Sequence, residues 1–229
     1  MSAAAIDRRQ LLTAAVIGAA AAPALAQTAG APPPFTAAPL PFDPKTIPGL
    51  SERLLVSHHD NNYAGAVRRL GAINTQFKAL DPATAPVFAL NGLKREELVA
   101  WNSMILHELY FASLSAAATA PGAALAQQIE RDFGSDGRWR AEFSAMGKAL
   151  GGGSGWVLLT YSHRDRRLVN QWAADHTMAL AGSTPILALD MYEHAYALDY
   201  GAAAGGYVDA YMKVINWRAA DALFAKAAA

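Results

Sequence analysis

The apolar residues of this chain change from helical to extended spacing at the glycine-rich segment GGGSGW, residues 151–156. Before this segment they recur at the three- and four-residue intervals of helices. After it, GWVLLTYSH and RLVNQWAAD flank the polar turn HRDRR, and TPILALD follows as a third extended run. Strands that cluster, instead of alternating with helices, favour an α+β fold with an antiparallel sheet.

The helical part is predicted to begin with two long helices. The first starts at Ser51, a good N-cap residue, and the second is a largely apolar helix over 94–118. Pro121 separates this pair from two shorter helices, and the end of the chain returns to a helical pattern after the third strand. We therefore expect a long helical hairpin over 50–120, followed by an α/β domain over 121–229 that contains a three-stranded antiparallel sheet.

The N-terminal residues are predicted to lie outside that fold. Residues 1–26 carry Arg8 and Arg9, then a mildly apolar stretch that ends in an A-x-A pattern before Gln27, which resembles a twin-arginine export signal. A Sec signal that happens to contain two arginines is the alternative. Either signal would place the mature protein in the periplasm or outside the cell. Residues 27–49 are rich in Pro and Ala and predict an extended arm.

The composition limits the possible partners and ligands. Lys and Arg balance Asp and Glu at 19 each, which argues against a nucleic-acid binder because such proteins carry a basic excess. No later apolar run approaches the roughly 18 residues that a membrane-spanning helix needs, so no membrane anchor is expected after signal cleavage. The chain has no cysteine. A metal site would therefore use His, Asp and Glu, which favours iron, manganese or zinc.

The six histidines are the natural metal ligands to consider in such a chain. His58 lies in the first long helix and His107 in the middle of the second, so both imidazoles can face one interior point of an antiparallel hairpin. Asp190 ends the third strand, and His194 follows four residues later. Three imidazoles and one carboxylate would form a metal site with room for a water molecule. Such a site would join the helical part of the chain to the sheet.

The segment LDMYEHAYALDY, residues 189–200, resembles the D-x-[WY]-E-H-A-[FY] signature of the iron/manganese superoxide dismutases. The likeness extends over residues 38–227 and includes LSERLLVSHH, LHELYF, GSGW and GGYVDAYMKVINW. It implies an N-terminal helical hairpin joined to an α/β domain with a three-stranded antiparallel sheet. It also implies one Fe or Mn ion per subunit, which alternates between its 3+ and 2+ states while two superoxide anions become O2 and H2O2.

The resemblance also implies roles for individual residues. The implied metal ligands are His58, His107, Asp190 and His194. Trp156 and Tyr192 would line the cavity around the ion. Glu193 would lie at a homodimer interface, where it would meet the metal-binding His194 of the partner subunit.

The chain departs from the family pattern around this site. Asn62, Ala66 and Ala197 stand where the family usually has His, Tyr and Tyr, which form a hydrogen-bonded path from solvent to the metal. Tyr63 is a possible replacement donor, and His176 stands where some members carry a His that contacts the bound solvent. Retention of all four ligands favours a superoxide dismutase, whereas the altered path leaves open a non-catalytic metal-binding protein of the same fold. A non-haem iron oxygenase is disfavoured because its site usually has only three protein ligands.

Overall fold

The structure is a computed structural model that describes residues 35–229. The predicted export signal and the first residues of the predicted arm lie outside the described residues. The rest of the arm is irregular over residues 35–40 and then forms turns and bends. Its Ile47 side chain is buried in the main core, and the Phe35 ring meets the Trp101 ring edge-on at a centroid distance of 5.8 Å. These contacts fix the described part of the arm on the folded chain.

The first long helical segment begins where the sequence predicts it. The Ser51 hydroxyl accepts a hydrogen bond from the Leu54 backbone N–H at 3.1 Å and so caps the segment. Its parts are helix α1 (Glu52–Ser57), a π-helical turn (His58–Tyr63) and helix α2 (Ala64–Ala79). The π-helical turn was not predicted. It contains the first predicted metal ligand, in line with the frequent use of such turns at functional sites.

The second helix of the hairpin, α3 (Val87–Ala112), starts and ends earlier than the predicted 94–118. It begins directly after Pro86, which occupies the N-cap position. It ends at Ala112 because the chain then forms an isolated β-bridge between Leu114 and Ile215. Helices α2 and α3 pack against each other and form the predicted helical hairpin.

The three predicted strands form one antiparallel sheet with β1 in the centre. The strands are β1 (Trp156–Ser162), β2 (Arg167–Ala173) and β3 (Ser183–Asp190). Trp156 pairs with Ala173 on one side and with Asp190 on the other. Gly155 precedes β1 at φ +132°, where an added Cβ would lie 2.2 Å from the Ala173 carbonyl oxygen, so only glycine fits. The predicted fold class is confirmed.

The remaining helices pack on the sheet or on one another and complete the core. They are α4 (Ala123–Phe133), α5 (Asp136–Ala149), α6 (Ala197–Tyr200), α7 (Ala204–Tyr211) and α8 (Trp217–Ala228). Helices α5 and α8 pack on the central strand, and every residue of that strand is buried. Among the helices of residues 35–229, none is both long and apolar enough to cross a bilayer. The hairpin contributes α3 to a contact with β3, which places the helical part against the end of the sheet.

Candidate metal centre

Four side chains with metal-binding atoms meet where the helical hairpin contacts the sheet. They come from the π-helical turn, from α3, from the last residue of β3 and from a short 3-10 turn over Glu193–Ala195. The four residues are His58, His107, Asp190 and His194. One ligand atom from each lies within 4.8 Å of the others. The structure thus brings together the same four residues that the sequence predicts as ligands.

Four of the six distances between these ligand atoms are close to those expected of ligands around one ion. Asp190 Oδ2 lies 3.1 Å from His58 Nε2, 3.2 Å from His194 Nε2 and 3.5 Å from His107 Nε2. The Nε2 atoms of His107 and His194 lie 3.4 Å apart. Four atoms placed tetrahedrally at about 2.1 Å from a metal ion are about 3.4 Å from one another. The cluster can therefore accept a single ion with little rearrangement.

A backbone hydrogen bond fixes the tautomer of His107. Its Nδ1–H donates to the Ser103 carbonyl oxygen, one helical turn earlier, at a distance of 2.6 Å. Since a carbonyl can only accept, the proton sits on Nδ1, and Nε2 presents a lone pair to the cluster. Metal-binding histidines are usually oriented in this way.

Burial and mutual contacts set the charge state of the cluster. Burial lowers the pKa of His107 to about 3, and it also lowers the pKa of His58 despite the hydrogen bond with Asp190. Burial alone would raise the pKa of Asp190, but the charge of His194 and the hydrogen bonds with His194 and His58 hold it well below its usual range. At neutral pH the site therefore presents the Asp190 carboxylate and the neutral imidazoles of His58 and His107. A buried anion of this kind requires a compensating cation, and iron or manganese fits these donors.

Trp156 and Tyr192, which the resemblance assigns to the cavity around the ion, lie against imidazoles of the predicted ligands. The Trp156 ring meets the His107 ring edge-on at 5.3 Å. Tyr192 stacks on His194 at 5.3 Å and on His176 at 4.8 Å, with both interplanar angles at 13°. The cluster is thus enclosed by rings that limit how the ligands can turn.

His176 is held beside the cluster as a hydrogen-bond donor. Trp156 Nε1–H donates to His176 Nδ1 at 2.9 Å, so the ring proton of the neutral form lies on Nε2. Burial lowers the pKa of His176, which favours that neutral form. The backbone carbonyl of His176 accepts a hydrogen bond from Asn102 Nδ2 at 2.6 Å, which fixes the loop. Within residues 35–229 the Nε2–H of His176 meets no acceptor.

Tyr63 does not take the position that the sequence suggested. Its buried hydroxyl donates to Glu108 Oε1 and accepts from the Ala38 backbone N–H, both at 2.9 Å. Both partners lie outside the ligand cluster. Tyr63 therefore ties the arm to the helical hairpin, and its predicted role as a proton donor to the site is replaced by this structural one.

Small side chains leave a pocket of about 270 Å³ next to the cluster. Nine residues from the hairpin and the β2–β3 loop line it, namely Asn61, Asn62, Gly65, Ala66, Arg69, Val99, Ala100, Ser103 and His176. Asn62 and Ala66 are two of the family departures, so the side chains that are missing there correspond to open space here. Sequence reasoning missed Arg69, although it follows Ala66 by three residues and Asn62 by seven, which places all three on one helix face.

Glu193, the predicted interface residue, lies exposed beside the ligand His194. Within residues 35–229 it forms no ion pair. The His194 side chain is itself 25% exposed, which makes it the most accessible of the four predicted ligands. This edge of the metal centre is therefore at the surface of the single chain.

Comparison with known proteins agrees with the geometry. Residues 121–223 match the family model of the C-terminal domain of iron/manganese superoxide dismutases. An iron superoxide dismutase of Cupriavidus metallidurans is 65% identical over 82% of this chain and 95% of its own length. A manganese superoxide dismutase of Halobacterium salinarum is 38% identical over 83% of this chain and 94% of its own length. An iron superoxide dismutase of Aquifex pyrophilus is 31% identical over 80% of this chain and 88% of its own length. The chain belongs to the iron/manganese superoxide dismutase family.

Proposed function

We propose that this chain is a superoxide dismutase that holds one iron or manganese ion per subunit. The ligands we assign are His58, His107, Asp190 and His194. The observation that carries this proposal is the convergence of three imidazoles and one buried carboxylate in a chain of this family. The reaction converts two superoxide anions and two protons into O2 and H2O2.

The residues around the ion determine how it can act. When bound, iron or manganese supplies a one-electron couple between its 3+ and 2+ states. Asp190 contributes a single negative charge and the three imidazoles are neutral, so the occupied site keeps a net positive charge. Such a site attracts a small anion.

His176 is the residue best placed to orient a proton or a water molecule at the site. Its ring lies 6.0 Å from the His107 ring, and its Nδ1 is already engaged by Trp156, which leaves the Nε2–H as a donor. In the family-like reaction two protons must reach the product. We assign His176 to holding the hydrogen-bonded solvent that delivers them.

We propose iron as the native metal. Support comes from the relative that is 65% identical, which is named an iron superoxide dismutase. The relatives at lower identity include both iron and manganese proteins. Ligand types alone would accept either metal.

We also propose a homodimer that is exported from the cytoplasm. The dimer is supported by the exposed Glu193 beside His194 and by Leu198, an apolar side chain nearby in the chain that is 46% exposed. Export to the periplasm, or beyond the cell, is supported by Arg8, Arg9 and the A-x-A pattern before Gln27. Sedimentation and cell fractionation of the tagged full-length chain test these two proposals separately.

The test of the enzymatic proposal is metal content and superoxide decay measured on the same preparations. We expect one Fe or Mn per chain and superoxide consumption that is lost on metal removal and restored on reloading. His107→Ala should lose the metal. His163→Ala is the matched control, because His163 hydrogen-bonds Thr184 at the opposite end of β1 from Trp156. A fully loaded protein that consumes no superoxide would refute the proposal.

A further inference from the structure

The pocket beside the metal centre ends against residues that touch the ligand His107. Ser103 lines the pocket, its carbonyl oxygen accepts the His107 Nδ1–H, and its hydroxyl lies 3.4 Å from the same nitrogen. His176 forms another part of the wall. A molecule in this pocket is therefore separated from the ligand cluster by single side chains. The pocket is a candidate access route for a small solute.

Only one of the nine residues that line this pocket carries a permanent charge, and that residue is Arg69. The others are small, apolar or neutral polar side chains, and burial keeps His176 in its neutral form. A cleft whose ionised groups have one sign concentrates the electric field and raises the local concentration of ions of the opposite sign. The field inside this pocket therefore favours anions.

A second residue reduces that field. Arg69 Nη2 forms an ion pair with Glu96 Oε2, which joins α2 to α3 at the rim of the pocket. The Arg69 side chain remains 53% exposed, so the guanidinium is accessible to solvent and to dissolved ions, whereas the Glu96 side chain is 33% exposed. An ion pair with one solvent-exposed partner is screened by water and contributes little to stability. The guanidinium can thus exchange its carboxylate partner for an incoming anion.

We infer that Arg69 draws superoxide and other small monovalent anions into the pocket beside His107, and that Glu96 limits this attraction by pairing with the same guanidinium. The inference rests on the proposed function, since it assigns the route by which the substrate reaches that site. Arg69 acts from a distance as a positioning residue. Its effect is on association and not on the chemical step.

The test compares metal-loaded, full-length variants across a range of ionic strength. Arg69→Gln should lower the rate constant for superoxide consumption about two- to fivefold at low salt and should flatten its salt dependence; this is less than the roughly tenfold lower end of electrostatic steering effects because one charge is removed and Glu96 already offsets part of it. Arg69→Lys should retain that dependence. Glu96→Gln should raise the low-salt rate and steepen the salt dependence. Arg218→Gln, an exposed charge on α8, is the control for net charge.

Azide provides a readout that does not depend on turnover. It is a small monovalent anion, and its dissociation constant can be followed through the absorption of the bound metal. Arg69→Gln should weaken azide binding by a factor similar to its effect on the rate, and Arg218→Gln should leave it unchanged. Unchanged rate, salt dependence and azide affinity in Arg69→Gln would overturn the inference, as would an equal loss in Arg218→Gln. Loaded wild type without dismutation would refute the proposed function, while azide would still decide the role of Arg69.

Discussion

Replacing Trp156 by Phe isolates the hydrogen bond that orients His176. Trp156 is fully buried, and its Nε1–H donates to His176 Nδ1 at 2.9 Å. Phe keeps an aromatic ring in contact with His107 but removes that donor. His176 would retain its stacking on Tyr192, so its ring would stay near the site with its tautomer no longer fixed.

The size of the effect follows from the lost contact. A neutral hydrogen bond contributes about 1 kcal/mol net, and a buried acceptor left without a partner adds about 1–3 kcal/mol. We therefore expect the lost hydrogen bond in Trp156→Phe to lower the free energy of unfolding by about 2–4 kcal/mol, and the smaller ring to add to that loss. If His176 orients the proton donor, the rate per bound metal should fall about tenfold, which is less than the full contribution of a well-placed general acid.

The measurements are urea unfolding and superoxide decay per bound metal for Trp156→Phe, His176→Ala and the double variant. Because Trp156 is proposed to act through His176, the double variant should lose no more rate than His176→Ala alone. If Trp156→Phe lowers the rate by the same factor with and without His176, the two residues act independently and the reasoning is refuted.

Three further predictions concern other parts of the chain. Tyr63→Phe removes the two hydrogen bonds of a buried hydroxyl and should lower the free energy of unfolding by about 1–3 kcal/mol without changing the rate per bound metal, and a lower rate would return Tyr63 to the proton path. Gly155→Ala places a Cβ 2.2 Å from the Ala173 carbonyl oxygen at a positive φ. We expect it to lower the free energy of unfolding by more than about 3 kcal/mol or to prevent soluble expression, and a normal melting temperature would contradict this. Arg8→Lys with Arg9→Lys should retain the protein in the cytoplasm, as cell fractionation would show, whereas unchanged export would indicate a Sec signal.

The secondary structure and the four candidate ligands were accessible to sequence reasoning because each is marked by a local pattern in the sequence. The switch from helical to alternating spacing at residues 151–156 is a local property, and the structure has the three predicted strands. Asp190 and His194 are four residues apart at the end of a strand, so their proximity needs no knowledge of packing. The positions of His58 and His107 follow once the two long helices form a hairpin. Four candidate ligands of two types, His and Asp, in a chain without cysteine then leave few alternatives.

The tertiary structure alone decided the contacts between elements that lie far apart in the sequence. The six-residue π-helical turn changes which way the side chains after His58 point, and the hydroxyl of Tyr63 meets the arm and α3 instead of the site. Trp156 and His176 meet across the sheet and a loop, and Arg69 meets Glu96 across two helices. The spacing of hydrophobic residues predicts which face of a helix is buried. It does not predict the rotation of the helix against its neighbour closely enough to say which individual side chains meet. The packing of the core sets that rotation, and with it the partners around the metal centre.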